Sequence, residues 1–179
     1  MNGFFIWAHR GASAQAPENT LAAFRAAEAA GADGIELDVH LSADAVPVVI
    51  HDATLERTTS GHGAVADRSA AQLLQLDAGS WFSPAFAGER LPTLEQVFVW
   101  AGVRLRLNVE IKDAAAGRTV LDLLSRYPAV RVLVSSFDHD LLEALRAQNL
   151  DLPLAFLVDR RFWRGGVARA AACRAESLH

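Results

Sequence analysis

The sequence is poor in several features, and each shortage narrows the class of protein. A single cysteine, Cys173, among 179 residues excludes an internal disulfide and gives no sign of an oxidising compartment. No apolar run is long enough to cross a bilayer, and the apolar start of the chain has neither a basic leader nor a cleavage signature. The net charge of −4 argues against a nucleic-acid-binding surface. We therefore expect one soluble cytoplasmic domain without a signal peptide, inserted in no membrane and bound to no nucleic acid.

The chain is rich in short apolar runs that alternate with amphipathic segments. The runs predict strands at 4–9, 34–39, 47–51, 105–112, 130–137, 154–158 and 177–179. The amphipathic segments predict helices at 21–30, 94–101, 118–126, 140–148 and 162–173, the first capped by Thr20 and the second by a Thr93–Gln96 capping box. Strands that alternate with helices pair in parallel, so we expect an α/β layer or barrel. Residues 52–92 interrupt the alternation, and we interpret them as an insertion after the third strand.

Charged residues gather at the carboxyl ends of the first four predicted strands, where parallel α/β folds build their active sites. These residues are His9 and Arg10, then Glu36 and Asp38, then His51, then Glu110 and Lys112. Residues two apart on a strand share a face, so Glu36 and Asp38 point the same way, as do Asn108, Glu110 and Lys112. Each residue alone is more often structural, but four strands that supply one rim predict a functional site.

The acidic part of this rim predicts a metal ion. Glu36, Asp38 and Glu110 would repel one another strongly in a site of low dielectric constant. They remain ionised together only if a cation lies among them. Oxygen ligands without cysteine suit a hard ion, so we expect Mg²⁺ or Ca²⁺, with Mn²⁺ as a further candidate.

The cationic part of the rim predicts a phosphate ester as the substrate. Arg10 and Lys112 suit an anion with several oxygens, and an arginine can hold two of them at once. His9 and His51 suit general acid and base roles because imidazole titrates near neutral pH. Together with the cation, these groups predict metal-assisted cleavage of a phosphate ester.

Six motifs resemble those of the glycerophosphodiester phosphodiesterase family. They are HRG…PENT…AF at 9–24, GIELDV at 34–39, PVVIHD at 47–52, LDAGSWF at 76–82, LPTLEQ at 91–96 and NVEIK at 108–112. The resemblance runs in order from about residue 5 to at least 137. It implies a TIM-type barrel and the hydrolysis of glycerophosphodiesters to an alcohol and glycerol 3-phosphate.

The resemblance also implies roles by matching position. His9 and His51 correspond to the acid/base pair, Arg10 and Lys112 to the phosphate contacts, and Glu36, Asp38 and Glu110 to the metal ligands. Residues 52–92 correspond to a small insertion over the barrel mouth that helps to bind the glycerol moiety. Glu18, which could orient Arg10 or a histidine, and Asn108 are further candidates for supporting these groups. The resemblance leaves open which histidine is the acid and whether water or a glycerol hydroxyl attacks first.

The chain departs from the family pattern in its length. A TIM barrel typically needs about 250 residues, and we count six strands with the beginning of a seventh. We expect an incomplete barrel, truncated at the C-terminus so that the last strand is missing. A natural fragment of reduced activity and a second copy that completes the barrel are the alternatives. The alternatives for function are a lysophospholipase D-type activity at the same site and a non-catalytic module.

Overall fold

A computed structural model of the chain describes residues 4–159 and 163–179, which form a sheet with helices packed on one face. The strands are β1 Trp7–His9, β2 Gly34–Leu41, β3 Pro47–Val49, β4 Arg106–Ile111, β5 Arg131–Ser136, β6 Leu154–Phe156 and β7 Ser177–Leu178. The helices are α1 Leu21–Ala29, α2 Ala70–Leu73, α3 Leu94–Ala101, α4 Ala116–Arg126, α5 His139–Gln148 and α6 Trp163–Ala172. The predicted elements are therefore present, although the predicted start of the last helix, at residue 162, lies outside the described residues. None of the described helices has the length and apolar character needed to span a membrane.

The sheet is an open part of a barrel. Six strands pair in parallel in the order β1-β2-β4-β5-β6-β7. Within the described residues β1 pairs only with β2 and β7 only with β6, so both outer strands keep a free edge. The predicted α/β barrel-type fold, left unclosed, is confirmed.

The third strand pairs differently from the prediction. β3 runs antiparallel to β2, with Val39 opposite Val49 and Leu41 opposite Pro47, and lies off the parallel path. The expectation of parallel pairing is wrong here because residues 42–46 are too few for a crossover, which takes about a dozen residues or more. The two strands instead form an antiparallel hairpin.

The two faces of the parallel sheet differ in chemistry. Apolar side chains on one face pack against α1, α3, α4 and α5 in a continuous core, which includes Ile35, Leu37, Val109 and Phe98. The opposite face of β2 and β4 carries the intervening polar residues of the sequence. Strand alternation thus separates the core of the fold from the polar face where the candidate site lies.

Residues 52–92 pack with Val48 and Ile50 in a second, small hydrophobic core. Its buried members are Val48, Ile50, Leu55, Val65, Leu73, Ala78 and Leu91. Val48 and Ile50 flank Val49, which belongs to the main core, so β3 contributes to two cores from its two faces. The segment is therefore anchored to the sheet through β3, at the edge of the candidate site.

Candidate active site

Three carboxylates meet on the polar face of the sheet. Glu36 and Asp38 lie on β2, and Glu110 on β4 is the direct partner of Asp38 in the parallel register. Each offers an oxygen within 4.8 Å of the others, and all three residues are buried. The structure therefore brings together the acidic residues that the sequence pattern placed on one face.

The burial of these carboxylates has a clear electrostatic consequence. Burial, followed by the charge of Asp38, raises the pKa of Glu36 to about 8. Lys112 offsets part of the negative charge, because its Nζ donates to Glu110 Oε1 at 2.5 Å and lies 3.1 Å from Asp38 Oδ1. The Arg10 guanidinium, with Nε 3.2 Å from Asp38 Oδ2, is the second cation in contact with the carboxylates. Two cationic groups do not neutralise three carboxylates, so a further positive charge can be accommodated.

The loop after β1 holds Asp38 through two residues with unusual backbones. Arg10 and Asn19 have φ values of 57° and 59°, in the left-handed region that non-glycine residues seldom adopt. Asn19 Nδ2 donates to Asp38 Oδ2 at 2.8 Å, and Arg10 Nε lies 3.2 Å from the same oxygen. The backbone N–H of Arg10 also donates to Glu36 Oε2 at 3.0 Å. Such strain persists where surrounding contacts require it, and here those contacts converge on the carboxylates.

The two histidines have different environments. His9 Nε2 lies 3.7 Å from Glu36 Oε2. Partial burial, and then the Arg10 guanidinium, lowers the pKa of His9, which favours its neutral form. His51 Nδ1 lies 2.6 Å from Asp52 Oδ1. Arg57 is the first cause of a strongly lowered pKa at Asp52, so this carboxylate is ionised and only accepts hydrogen bonds. His51 therefore donates from Nδ1, and in the neutral ring Nε2 carries the lone pair.

His51 reaches the site by a route that the sequence analysis missed. The analysis placed it at the carboxyl end of a parallel strand. It instead follows the returning strand β3, where the N–H of the preceding Ile50 donates to the carbonyl oxygen of Asp38 at 3.0 Å. The β2–β3 hairpin thus brings His51 back to the level of the carboxylates.

A cleft of about 370 Å³ joins these groups. Its walls include seven of the nine residues singled out in the sequence, namely His9, Arg10, Glu36, His51, Asn108, Glu110 and Lys112. Asp38 is fully buried beside it, and Glu18 contacts the site through its 3.0 Å ion pair with Arg10. The strands after β4 add Ser135, Phe137, Leu157, Val158 and His179 to the walls. The sequence-predicted residues therefore lie in one connected site.

Four buried side-chain atoms at the site have no hydrogen-bond partner among the described residues. Arg10 Nε and Asp38 Oδ1 still lie at ion-pair distance, 3.2 Å from Asp38 Oδ2 and 3.1 Å from Lys112 Nζ respectively, whereas the other two atoms have no such neighbour. They are Asn108 Oδ1 and Ser135 Oγ, and both side chains are almost fully buried. In the register of the sheet Asn108 lies beside Glu36, and Ser135 beside Glu110. Buried polar atoms are normally satisfied by protein or ordered water. The oxygen-only donor set and these two atoms together fit a hard cation with its water.

Comparison with known proteins identifies the family to which this fold belongs. A model of the glycerophosphoryl diester phosphodiesterase family matches residues 9–179. The chain belongs to this family. The matched range includes the three carboxylates, His9 and His51, and the cationic side chains Arg10 and Lys112. The members of this family are enzymes.

Solved structures and a relative from sequence searches agree with this membership. A glycerophosphodiester phosphodiesterase of Caldanaerobacter subterraneus is 43% identical over 159 residues, which are 85% of this chain and 65% of that one. The crystal structure of an Agrobacterium tumefaciens glycerophosphodiester phosphodiesterase has a TM-score of 0.87 at 33% identity, covering 98% of this chain and 75% of that chain. An Oleispira antarctica phosphodiesterase in complex with the product sn-glycerol-3-phosphate gives the same TM-score and identity, over 97% of this chain and 73% of that one. The chain thus spans less than two thirds of the Caldanaerobacter relative.

Three residues that contact the site were not singled out from the sequence. Asn19 was given no role, yet it binds Asp38 at both the side chain and the backbone N–H. Asp52 and Arg57 belong to the insertion and contact His51 directly and indirectly. The letters PENT and HD were visible signals for the first two, whereas no sequence spacing connects Arg57 to the rim.

Proposed function

We propose that this chain hydrolyses glycerophosphodiesters to an alcohol and glycerol 3-phosphate, with one divalent cation and two histidines. The observation that carries the proposal is the close approach of Glu36, Asp38 and Glu110, within 4.8 Å, beside a cleft lined by two cationic side chains and by the imidazoles of His9 and His51. This combination places charge neutralisation, anion binding and proton transfer at one point. Membership of the family supports the choice of substrate.

The three carboxylates would hold the cation, for which Mg²⁺, Ca²⁺ and Mn²⁺ are the candidates. When bound, such an ion polarises a phosphoryl oxygen and offsets the charge that builds during displacement at phosphorus. Asn108 Oδ1 and Ser135 Oγ supply hydrogen-bonding groups for the water that accompanies a hard ion. Lys112 offsets part of the negative charge of the carboxylates through its contacts with Glu110 and Asp38.

Arg10 and Lys112 are the groups that bind the phosphate. Both line the cleft, and only 19% of each side chain is exposed, so solvent screens their charge weakly. Ion pairs to Glu18 and Asp38 fix the direction of the Arg10 guanidinium. A fixed planar donor can hold two phosphate oxygens at a small cost in entropy.

The histidines move the protons that hydrolysis requires. The attacking oxygen, from water or from a glycerol hydroxyl, loses a proton as it bonds to phosphorus, and the departing alcohol oxygen gains one as its bond to phosphorus breaks. If the glycerol hydroxyl attacks first, water opens the resulting cyclic phosphate in a second step with the same two proton transfers. His51 exchanges its proton at Nε2, since Nδ1 is bound to Asp52. The neutral form of His9, favoured by its lowered pKa, is able to accept a proton. A diester with a good leaving alcohol assigns the acid, because its cleavage suffers least when the histidine that protonates that alcohol is replaced.

The release of glycerol 3-phosphate from glycerophosphocholine tests this proposal directly. We expect turnover by this chain with Mg²⁺, Ca²⁺ or Mn²⁺ and none with a chelator. Glu36→Ala and His51→Ala should each abolish turnover while circular dichroism stays unchanged. Glu143→Ala, which removes an exposed carboxylate on α5 outside the cleft, is the matched control and should keep full activity.

Other outcomes of the same assay separate the alternatives. Retained turnover in both Glu36→Ala and His51→Ala would rule out the site. Faster release of choline from lysophosphatidylcholine, which leaves lysophosphatidic acid, than from glycerophosphocholine would identify a lysophospholipase D-type activity. Cation binding without turnover of either compound would identify a non-catalytic module.

Because β1 and β7 each have an unpaired edge among the described residues, a second copy of the chain that completes the barrel stays a prediction. Unpaired strand edges present rows of backbone donors and acceptors that favour further pairing. Light scattering after size-exclusion chromatography tests this prediction, and a monomeric mass across the micromolar range would reject it.

A further inference from the structure

Arg57, in the insertion, joins two carboxylates that otherwise belong to different parts of the chain. Its Nε donates to Asp52 Oδ2 at 2.6 Å, and its Nη2 donates to Asp52 Oδ1 at 3.1 Å. Its Nη1 and Nη2 donate to the two oxygens of Glu18, both at 2.9 Å. The guanidinium therefore forms two bidentate pairs at once, a geometry that fixes both carboxylates in orientation as well as in charge.

Each of these carboxylates continues to a residue of the cleft. Asp52 Oδ1 lies 2.6 Å from His51 Nδ1, and Glu18 Oε1 accepts from Arg10 Nη1 at 3.0 Å. The result is one connected series of contacts from the imidazole, through Asp52, Arg57 and Glu18, to the phosphate-binding guanidinium. His51 and Arg10 both line the cleft, whereas Arg57 does not.

We propose that Arg57 is a positioning residue that fixes the tautomer of His51 and the direction of Arg10 together, so that the insertion sets the alignment of proton transfer with phosphate binding. The kinetic part of this proposal rests on the proposed function, but the contacts that carry it do not. An arginine is required because a lysine presents a point charge and cannot offer a fork to each carboxylate.

A purely structural role for Arg57 predicts different behaviour. The Arg57 side chain is 43% exposed, and ion pairs at such positions contribute little to stability. A structural role would therefore give variants with slightly altered melting temperatures and unchanged kinetics. Positioning instead predicts altered kinetics in a protein that is folded and binds its cation normally.

The first test compares Arg57→Ala and Arg57→Lys with Arg68→Ala, which removes an exposed arginine of the same insertion. Among the described residues, the Arg68 side chain donates a single 3.4 Å hydrogen bond, to the carbonyl oxygen of His62, and pairs with neither Glu18 nor Asp52. We expect Arg57→Ala to lower kcat/KM about 10- to 100-fold, the usual cost of removing a group that orients a site residue. Arg57→Lys should recover part of the loss, and Arg68→Ala should match the unsubstituted chain. Unchanged kinetics in Arg57→Ala would overturn the proposal.

A double-mutant cycle tests the route through Asp52. If Arg57 acts through this carboxylate, Arg57→Ala should cost much less in an Asp52→Asn background than in the unsubstituted chain. Fully additive losses in both the Asp52→Asn and the Glu18→Gln backgrounds would show that Arg57 acts by another route, and would overturn the proposal.

A spectroscopic readout keeps the test independent of turnover. Long-range ¹H–¹⁵N correlation spectra report the tautomer of each of the six histidines, and the His51→Asn spectrum assigns the His51 signal. We expect a single tautomer with the proton on Nδ1, lost or mixed in Arg57→Ala and retained in Arg68→Ala. If the unsubstituted chain releases no glycerol 3-phosphate, the proposed function fails and this spectrum alone decides on Arg57. An unchanged His51 tautomer in Arg57→Ala would contradict the positioning role in either case.

Discussion

The two sides of the cleft differ in how their charges are compensated. On the β2–β4 side, three buried carboxylates share two close cations, the Lys112 ammonium and the Arg10 guanidinium, and burial raises the pKa of Glu36 to about 8. On the insertion side, the carboxylates alternate with cationic partners, and both Glu18 and Asp52 have lowered pKa values. The first side is electrostatically incomplete, and the second is complete within the chain.

This difference indicates what each side contributes. A group of like charges that stays buried is suited to a ligand of opposite charge, because the ligand removes the repulsion that opposes ionisation. A group with internal compensation gains nothing from an ion and instead holds its members in fixed directions. We infer that cation binding belongs to the β2–β4 side and orientation to the insertion side, and four predictions test this separation.

The largest effect is expected for Asp38→Asn on the incomplete side. Asp38 is fully buried and contacts Asn19, Arg10 and Lys112. Its loss removes a cation ligand and weakens buried contacts of Arg10 and Lys112, which keep Glu18 and Glu110 as partners. Turnover should therefore vanish, and stability should fall by about 2 kcal/mol. Urea unfolding and the glycerol 3-phosphate assay measure the two effects. Normal turnover in this variant would contradict the assignment of cation binding to the β2–β4 side.

Asp52→Asn should separate the two sides by a smaller loss. The amide cannot fix the His51 tautomer as a carboxylate does, so kcat should fall about 10- to 100-fold. The affinity for Mn²⁺ should stay unchanged, because Asp52 contacts no member of the acidic group. Calorimetric titration beside steady-state kinetics provides both numbers. Loss of Mn²⁺ affinity in this variant would show that the two sides are not independent.

The stability of the chelator-treated protein should fall as the pH rises from about 4.5 to about 8. The pKa of Glu36 is raised from an ordinary 4.5 to about 8, so the folded chain keeps a proton in that window which the unfolded chain releases. Linkage then makes folding less favourable at higher pH, and Glu36→Gln should show a flatter dependence. Thermal melts between pH 5 and 8 test this expectation. Parallel melting curves for the two proteins would contradict it.

The smallest effect distinguishes two adjacent serines of β5. Ser135 Oγ is buried without a partner, whereas Ser136 Oγ donates to the carbonyl oxygen of Ile111 at 2.8 Å and accepts from the N–H of Asp138. In chelator-treated protein, Ser135→Ala should therefore leave stability unchanged or raise it by about 1 kcal/mol, and Ser136→Ala should lower it by about 1 kcal/mol. Equal losses in urea unfolding would show that Ser135 is already satisfied without the cation.

The sequence predicts the incomplete side better than the complete one. Strand alternation alone places Glu36, Asp38 and Glu110 on one face, because each strand is regular and its neighbours are parallel. The insertion side depends on a tight antiparallel hairpin and on side-chain pairs between residues up to 39 positions apart. No period in the sequence encodes such pairs, which is why Arg57 was missed and His51 was assigned to a parallel strand.

Calorimetric titration of the chelator-treated chain with Mn²⁺ tests the central claim most directly. We expect one ion per chain, with proton release at pH 7 because Glu36 must ionise to bind it. Glu36→Gln and Asp38→Asn should abolish the binding, while Asp52→Asn and Arg57→Ala should leave it intact. The absence of Mn²⁺ binding, or binding that survives both acidic substitutions, would show that Glu36, Asp38 and Glu110 do not hold the cation.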